Sequence, residues 1–136
     1  MPNVMIEVAE SQTLIDEEVR ELFDGVTSAL SDALGIEPET IVVRVAQSDC
    51  RSWAVGGQPV VGTSNRAAQI GICVAKGSAT PKQLKTAMAA TSNVLAAVFE
   101  GWVHDASTIT IQEVDEHLGG SIRELAADSP SIKAVA

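Results

Sequence analysis

The sequence is short of aromatics, cations and cysteines, and each shortage removes a class of function. Phe23, Phe99, Trp53 and Trp102 are the only aromatic side chains, and there is no tyrosine. Four rings are too few for a base-stacking platform on nucleic acid. Lys and Arg number 9 against 18 Asp and Glu, a formal charge of −9, so the overall field repels phosphate backbones and anionic membrane surfaces. Cys50 and Cys73 supply neither a disulfide framework nor a CxxC pair and are expected as thiols in a reducing compartment. Gap-free apolar stretches such as residues 95–99 fall far short of the roughly 18 residues a membrane span needs. The start, Met1-Pro2-Asn3-Val4-Met5-Ile6-Glu7, has no basic run, apolar stretch or small-residue cleavage site, which predicts a cytoplasmic chain. What remains is 136 residues, 46% of them apolar, enough for one acidic globular domain.

Within that domain the apolar period switches between two and 3.6, twice in the same order. Val4, Ile6 and Val8 alternate as a strand, and Thr13 followed by Asp16 predicts a helix start. Ile15, Val19, Leu22, Phe23, Val26, Leu30 and Ala33 then form one stripe of a helix over about residues 14–34, stopped by Gly35 and Pro38. Residues 40–46 are a β-branched run fit for a second strand, with Arg44 as its one charge. A Gly-, Pro- and Ser-rich loop or short hairpin over 51–66 closes this unit, and Arg51 and Arg66 flank it as expected surface charges. The pattern restarts with Ile70, Ile72 and Val74, a capping box at Thr80-Pro81-Lys82-Gln83, a helix to Gly101 and a strand over 107–114. The pairs Gly56-Gly57 and Gly119-Gly120 fall after the second and fourth strands.

The expected class is therefore α+β: two tandem βαβ units, over about residues 2–57 and 68–120, forming a four-stranded mixed sheet with two helices on one face. One domain covers 1–125 and residues 126–136 form a C-terminal tail. The helix-free face, carrying Met5 and Cys73, needs a cover, which predicts a closed cyclic oligomer.

Pro2 is the first chemically informative residue. Methionine is generally removed before a small residue, which would leave a prolyl secondary amine, and an α-amino group has an ordinary pKa of about 7.7 to 8.0. Apolar burial lowers that value toward the range where a general base works best. His104, Asp105, Asp115, Glu116 and His117 lack metal-ligand spacing, and no phosphate or dinucleotide loop occurs, so no metal and no cofactor are expected.

Pro2 opening a strand, the βαβ order, Val43-Arg44-Val45 in the second strand and Trp53-Ala54-Val55-Gly56-Gly57 after it together resemble the tautomerase superfamily. This is the group of 4-oxalocrotonate tautomerase and macrophage migration inhibitory factor, and the chain looks like its double-length, trimeric kind. The resemblance implies a trimeric barrel with Pro2 as general base or acid, Arg44 binding a substrate carboxylate and Trp53 in the pocket wall. Gln12 stands where the family pattern places a second arginine, and Lys76, near the equivalent place of the second unit, would supply that cation from its own chain or from a neighbour in the trimer. The implied partner is a small anionic carboxylate or a keto/enol substrate, and the implied activity is a cofactor-independent isomerase. Two alternatives stay within the fold: a non-catalytic oligomeric ligand-binding protein, and a dehalogenase, hydratase or decarboxylase using Glu7, Asp49 or Glu113 on water. A third is a ferredoxin-like regulatory domain with the same element order and different strand pairing.

Overall fold

The computed structural model describes residues 2–10, 14–60 and 66–127. Strand β1 (Asn3–Glu10), helix α1 (Asp16–Leu34) and strand β2 (Val42–Asp49) form the first unit. A two-stranded hairpin follows, β3 (Ala54–Val55) and β4 (Gln58–Pro59), in which Gly56 and Gly57 supply the two positive φ angles, 57° and 81°, that the turn requires. The second unit is β5 (Ala67–Ala75), helix α2 (Pro81–Val98) and β6 (Thr108–Val114), followed by a short helix beyond the expected elements, α3 (Ile122–Ala127), in which the Glu124 N–H donates to Ser121 Oγ at 3.5 Å. Among the described residues no helix is long and apolar enough to cross a membrane.

The sheet order is β2-β1-β5-β6. Each βαβ unit pairs its own strands in parallel, and the units join through the antiparallel pair β1 and β5. That pairing excludes the ferredoxin-like alternative, in which the two strands of one unit are separated by a strand of the other. Val4, Ile6, Val8, Ile70, Ile72 and Val74 turn one face toward Leu22, Val26, Leu30 and Leu34 of α1 and Ala87 and Leu95 of α2, all buried in one core. Alternation sends Met5, Arg44, Gly71 and Thr110, which share one ladder row, to the helix-free face.

The helices are in close contact at Gly25, where an added Cβ would lie 2.6 Å from Val94 Cγ1. Alanine there gains about 1 kcal/mol of helix propensity, against about 1–3 kcal/mol for overpacking. Gly25→Ala is expected to lower stability in denaturant unfolding, and Val94→Ala added to it should cost less than the two single changes predict, because it opens the contact.

The repeat is close. Leu22, Val26, Leu30 and Leu34 of α1 correspond to Ala87, Thr91, Leu95 and Phe99 of the second unit, all buried. Asp49 caps a 3-10 turn by accepting the Arg51 N–H, and Asp115 does the same for His117. By this register Gly119 matches Trp53, each closing its 3-10 turn, so the two glycine pairs are not equivalent as their positions had suggested. Thr91 Oγ1 is fully buried with no hydrogen-bond partner. Replacing it with the isosteric valine removes an unmet desolvation cost, and Thr91→Val is expected to stabilise the fold by about 1 kcal/mol, read as a raised Tm.

Three expectations need correction. Helix α1 starts at Asp16 with Ile15 at its N-cap, where Glu18 accepts the Ile15 N–H at 3.2 Å; Thr13 lies outside the described residues. Ile15 and Phe23 are exposed, at 58% and 40%, because they lie at the margin of a stripe whose centre, Leu22, Val26, Leu30 and Leu34, is buried with Val19 and Ala33 packed beside it. Arg66 is not a surface charge: it is half-buried, pairs with Glu18 and lies 5.1 Å over the Phe99 ring, clamping the start of β5 to α1.

Candidate active site

Pro2 precedes β1 and extends its ladder, its carbonyl accepting the Val42 N–H at 3.0 Å. It is buried on the helix side of the sheet, at the end where α1 finishes. Gly35 ends α1 with a φ of 64°, and Pro38 starts a 3-10 turn over Pro38–Thr40, so the chain bends away before β2 and leaves a hollow. The result is a cavity of about 400 Å³ with Pro2, Leu34, Ile36 and Val74 as its apolar part and Glu37, Thr40 and Ser78 as its polar part. Because β1 and β5 are antiparallel, the last residues of β5 form its far wall, so both units build this one cavity. An amine in such a pocket, beside apolar carbon, is disfavoured in its charged form.

Lys76 adjoins that far wall without lining the cavity itself. It lies in the turn between Ala75 and Ser78, both of which line the cavity, and its N–H is fixed by the Val114 carbonyl at 2.8 Å while its side chain is exposed. Gln12, the position that raised the question of a replacement cation, lies outside the described residues.

Arg44 and Trp53 sit elsewhere. Arg44 is exposed on the helix-free face, the face opposite the cavity, and its Nε–H donates to Met5 Sδ at 3.3 Å. Among the described residues it forms no ion pair, so its guanidinium remains available for a carboxylate. Trp53 lies at the other end of β1, packed on Ala9, Cys50, Val60 and Ala67, with Nε1–H donating to Ser48 Oγ at 2.6 Å. The ladder from Asn3 to Ala9 separates it from Pro2 by roughly 20 Å at about 3.3 Å per residue. Within one chain the structure brings Pro2 and Lys76 toward one cavity and keeps Arg44 and Trp53 away from it.

The remaining acids differ in availability. Asp49 is taken: hydrogen bonds from the Arg51 side chain, then from its backbone N–H, hold its carboxyl down at about 2, and the same carboxylate pushes the Arg51 guanidinium up. The stabilisation from this exposed pair is present above the ordinary carboxylate value of 3.8 and is lost as pH falls toward about 2. Glu7 lies on the helix-free face, and Glu113 pairs in register with Val74 of the cavity wall. In the second unit Ala68, Thr110 and Gly119 occupy the positions of Pro2, Arg44 and Trp53, so these three residues have no chemical counterpart there.

The comparisons agree with this architecture. The sequence model of the family Tautomerase, described as tautomerase enzyme, matches residues 2–62. No curated protein matches the chain. Among solved structures, the R7 fused 4-OT wild type asymmetric trimer is similar with a TM-score of 0.72 and 24% identity, over 89% of this chain and 98% of that one. Pt0534 inactivated by 2-oxo-3-pentynoate gives 0.75 and 17% identity, over 88% of this chain and 91% of that one. N1, a member of the cis-3-chloroacrylic acid dehalogenase family, gives 0.71 and 12% identity, over 95% and 93%.

Proposed function

We propose that this chain, which has the tautomerase-superfamily fold and a first half matching the tautomerase family, is a cofactor-independent tautomerase acting on an enol or 2-oxo acid. The observation that carries this reading is the placement of Pro2: buried, at the start of the central strand, in an apolar-walled cavity large enough for a small acid. Once Met1 is removed, its secondary amine takes a proton from the enol oxygen or the α-carbon and returns one to the other atom. Lys76, in the exposed turn beside the far wall, is the cation of the same chain that draws a carboxylate toward the amine. As a point charge it attracts without fixing orientation.

Orientation is then the work of Arg44 and Trp53, and both must come from another copy, because their own chain holds them away from its Pro2. A closed ring of copies meeting through the helix-free faces supplies them, and similar fused 4-OT structures are trimers. We take a trimer as the functional unit. The test is tautomerisation of phenylenolpyruvate by a chain whose intact mass shows Met1 removed. Activity in that form supports the reading. A mature, trimeric chain that binds the ketone and turns nothing over would instead favour the binding-protein alternative.

A further inference from the structure

The Pro2 cavity is electrically lopsided. Of the residues that line it, Glu37 is the charged one, and it hangs from the wall opposite Val74, Ala75 and Ser78, which flank Lys76. Its backbone is held still: the Glu37 carbonyl accepts both the Thr40 N–H at 3.1 Å and the Thr40 hydroxyl at 2.7 Å. On the other side, Ile36 is held by Ser31, whose carbonyl accepts the Ile36 N–H at 3.2 Å and whose hydroxyl donates to the Ile36 carbonyl at 2.6 Å. The carboxylate therefore works from a fixed stem at the rim, with Pro38 limiting the chain after it. The same wall is the C-terminal end of α1, through Leu34 and Gly35, which carries partial negative charge and has no basic residue in its last turn to offset it. The other charged groups around the cavity are Lys76 in the far turn, Glu113 beside Val74 and Glu39 in the 3-10 turn.

We infer that Glu37 makes the Pro2 cavity selective for ligands with a single carboxylate, repelling a second carboxylate that would extend toward the end of α1. One anionic group is met by Lys76 in the exposed turn beside the far wall. A second, placed at the other end of a short dicarboxylate, meets Glu37 and the α1 terminus at the rim, and like charges at close range repel. This rests on the reading of the Pro2 cavity as the substrate site, and it concerns binding, so it stands or falls apart from turnover.

The experiment is calorimetric titration of the mature oligomer with phenylpyruvate, carrying one carboxylate, and 2-oxoglutarate, carrying two. The unaltered protein should bind the monocarboxylate at least about tenfold more tightly. Glu37→Gln, which keeps the shape and removes the charge, should shrink that ratio by about tenfold, chiefly through tighter dicarboxylate binding, while Glu39→Gln in the same turn leaves it in place. Equal affinities for the two acids in the unaltered protein, binding of neither, or a ratio unmoved by Glu37→Gln would each overturn the inference. If the ratio moves as expected while phenylenolpyruvate is not turned over, the selectivity stands and the catalytic reading fails.

Discussion

Extending the chain by one residue ahead of Pro2 is expected to lower kcat/KM for phenylenolpyruvate by about 10²- to 10⁴-fold, the contribution of a positioned acid–base group. The extension turns the prolyl nitrogen into an amide, which has no basic lone pair, and leaves the cavity walls, Lys76 and the sheet in place. Pro2→Ala is the informative contrast. After Met1 removal it still presents a primary α-amino group of similar basicity, so it should lose only part of the activity. Equal rates for extended and unextended chains would take Pro2 out of the chemistry.

Arg44→Ala should lower kcat/KM for carboxylate substrates by about ten- to a hundredfold, corresponding to about 1.5–3 kcal/mol for a charge-assisted bidentate contact. The charge arithmetic makes this residue matter: at a net −9 the protein repels an anionic substrate from afar, so positive charge must be concentrated at the site. Arg51 and Arg66 are already paired with Asp49 and Glu18, whereas Arg44 has only a methionine sulfur as its described partner. Arg44→Lys should recover little, because an ammonium cannot reproduce the planar fork. Circular dichroism should be unchanged in both variants, since the side chain is exposed and leaves the core untouched.

Much of the fold was legible from period alone. Val4-Ile6-Val8 and Ile70-Ile72-Val74 alternate because one sheet face is buried, and the Thr80–Gln83 capping box formed as expected, with the Gln83 N–H donating to Thr80 Oγ1 at 3.1 Å and the Thr80 N–H to Gln83 Oε1 at 2.9 Å. What the sequence does not reveal is which ends of the strands come together. The antiparallel pairing of β1 with β5 puts the turn after β5 beside Pro2, and Lys76 becomes a neighbour of the cavity for that reason. Glu37 was overlooked because it precedes Pro38 in what reads simply as a helix stop. Arg66 was misjudged for a related reason: nothing local to a Ser- and Gly-rich stretch shows that Glu18 and the Phe99 ring will close over it. Helix α3 has a start signal in Ser121 with Glu124 three residues on, but at six residues it is too short for periodicity to register.

The proposed site is shared between two copies of the chain, and complementation measures that directly. The extended chain keeps Arg44 and lacks a free prolyl amine, while Arg44→Ala keeps the amine and lacks the guanidinium. Co-refolded in equal amounts into mixed oligomers, the two should regain about a quarter of the unaltered activity, the share of sites that draw Pro2 from one chain and Arg44 from a neighbour of the other kind. Activity no higher than the average of the two variants refolded separately would contradict a site shared between copies.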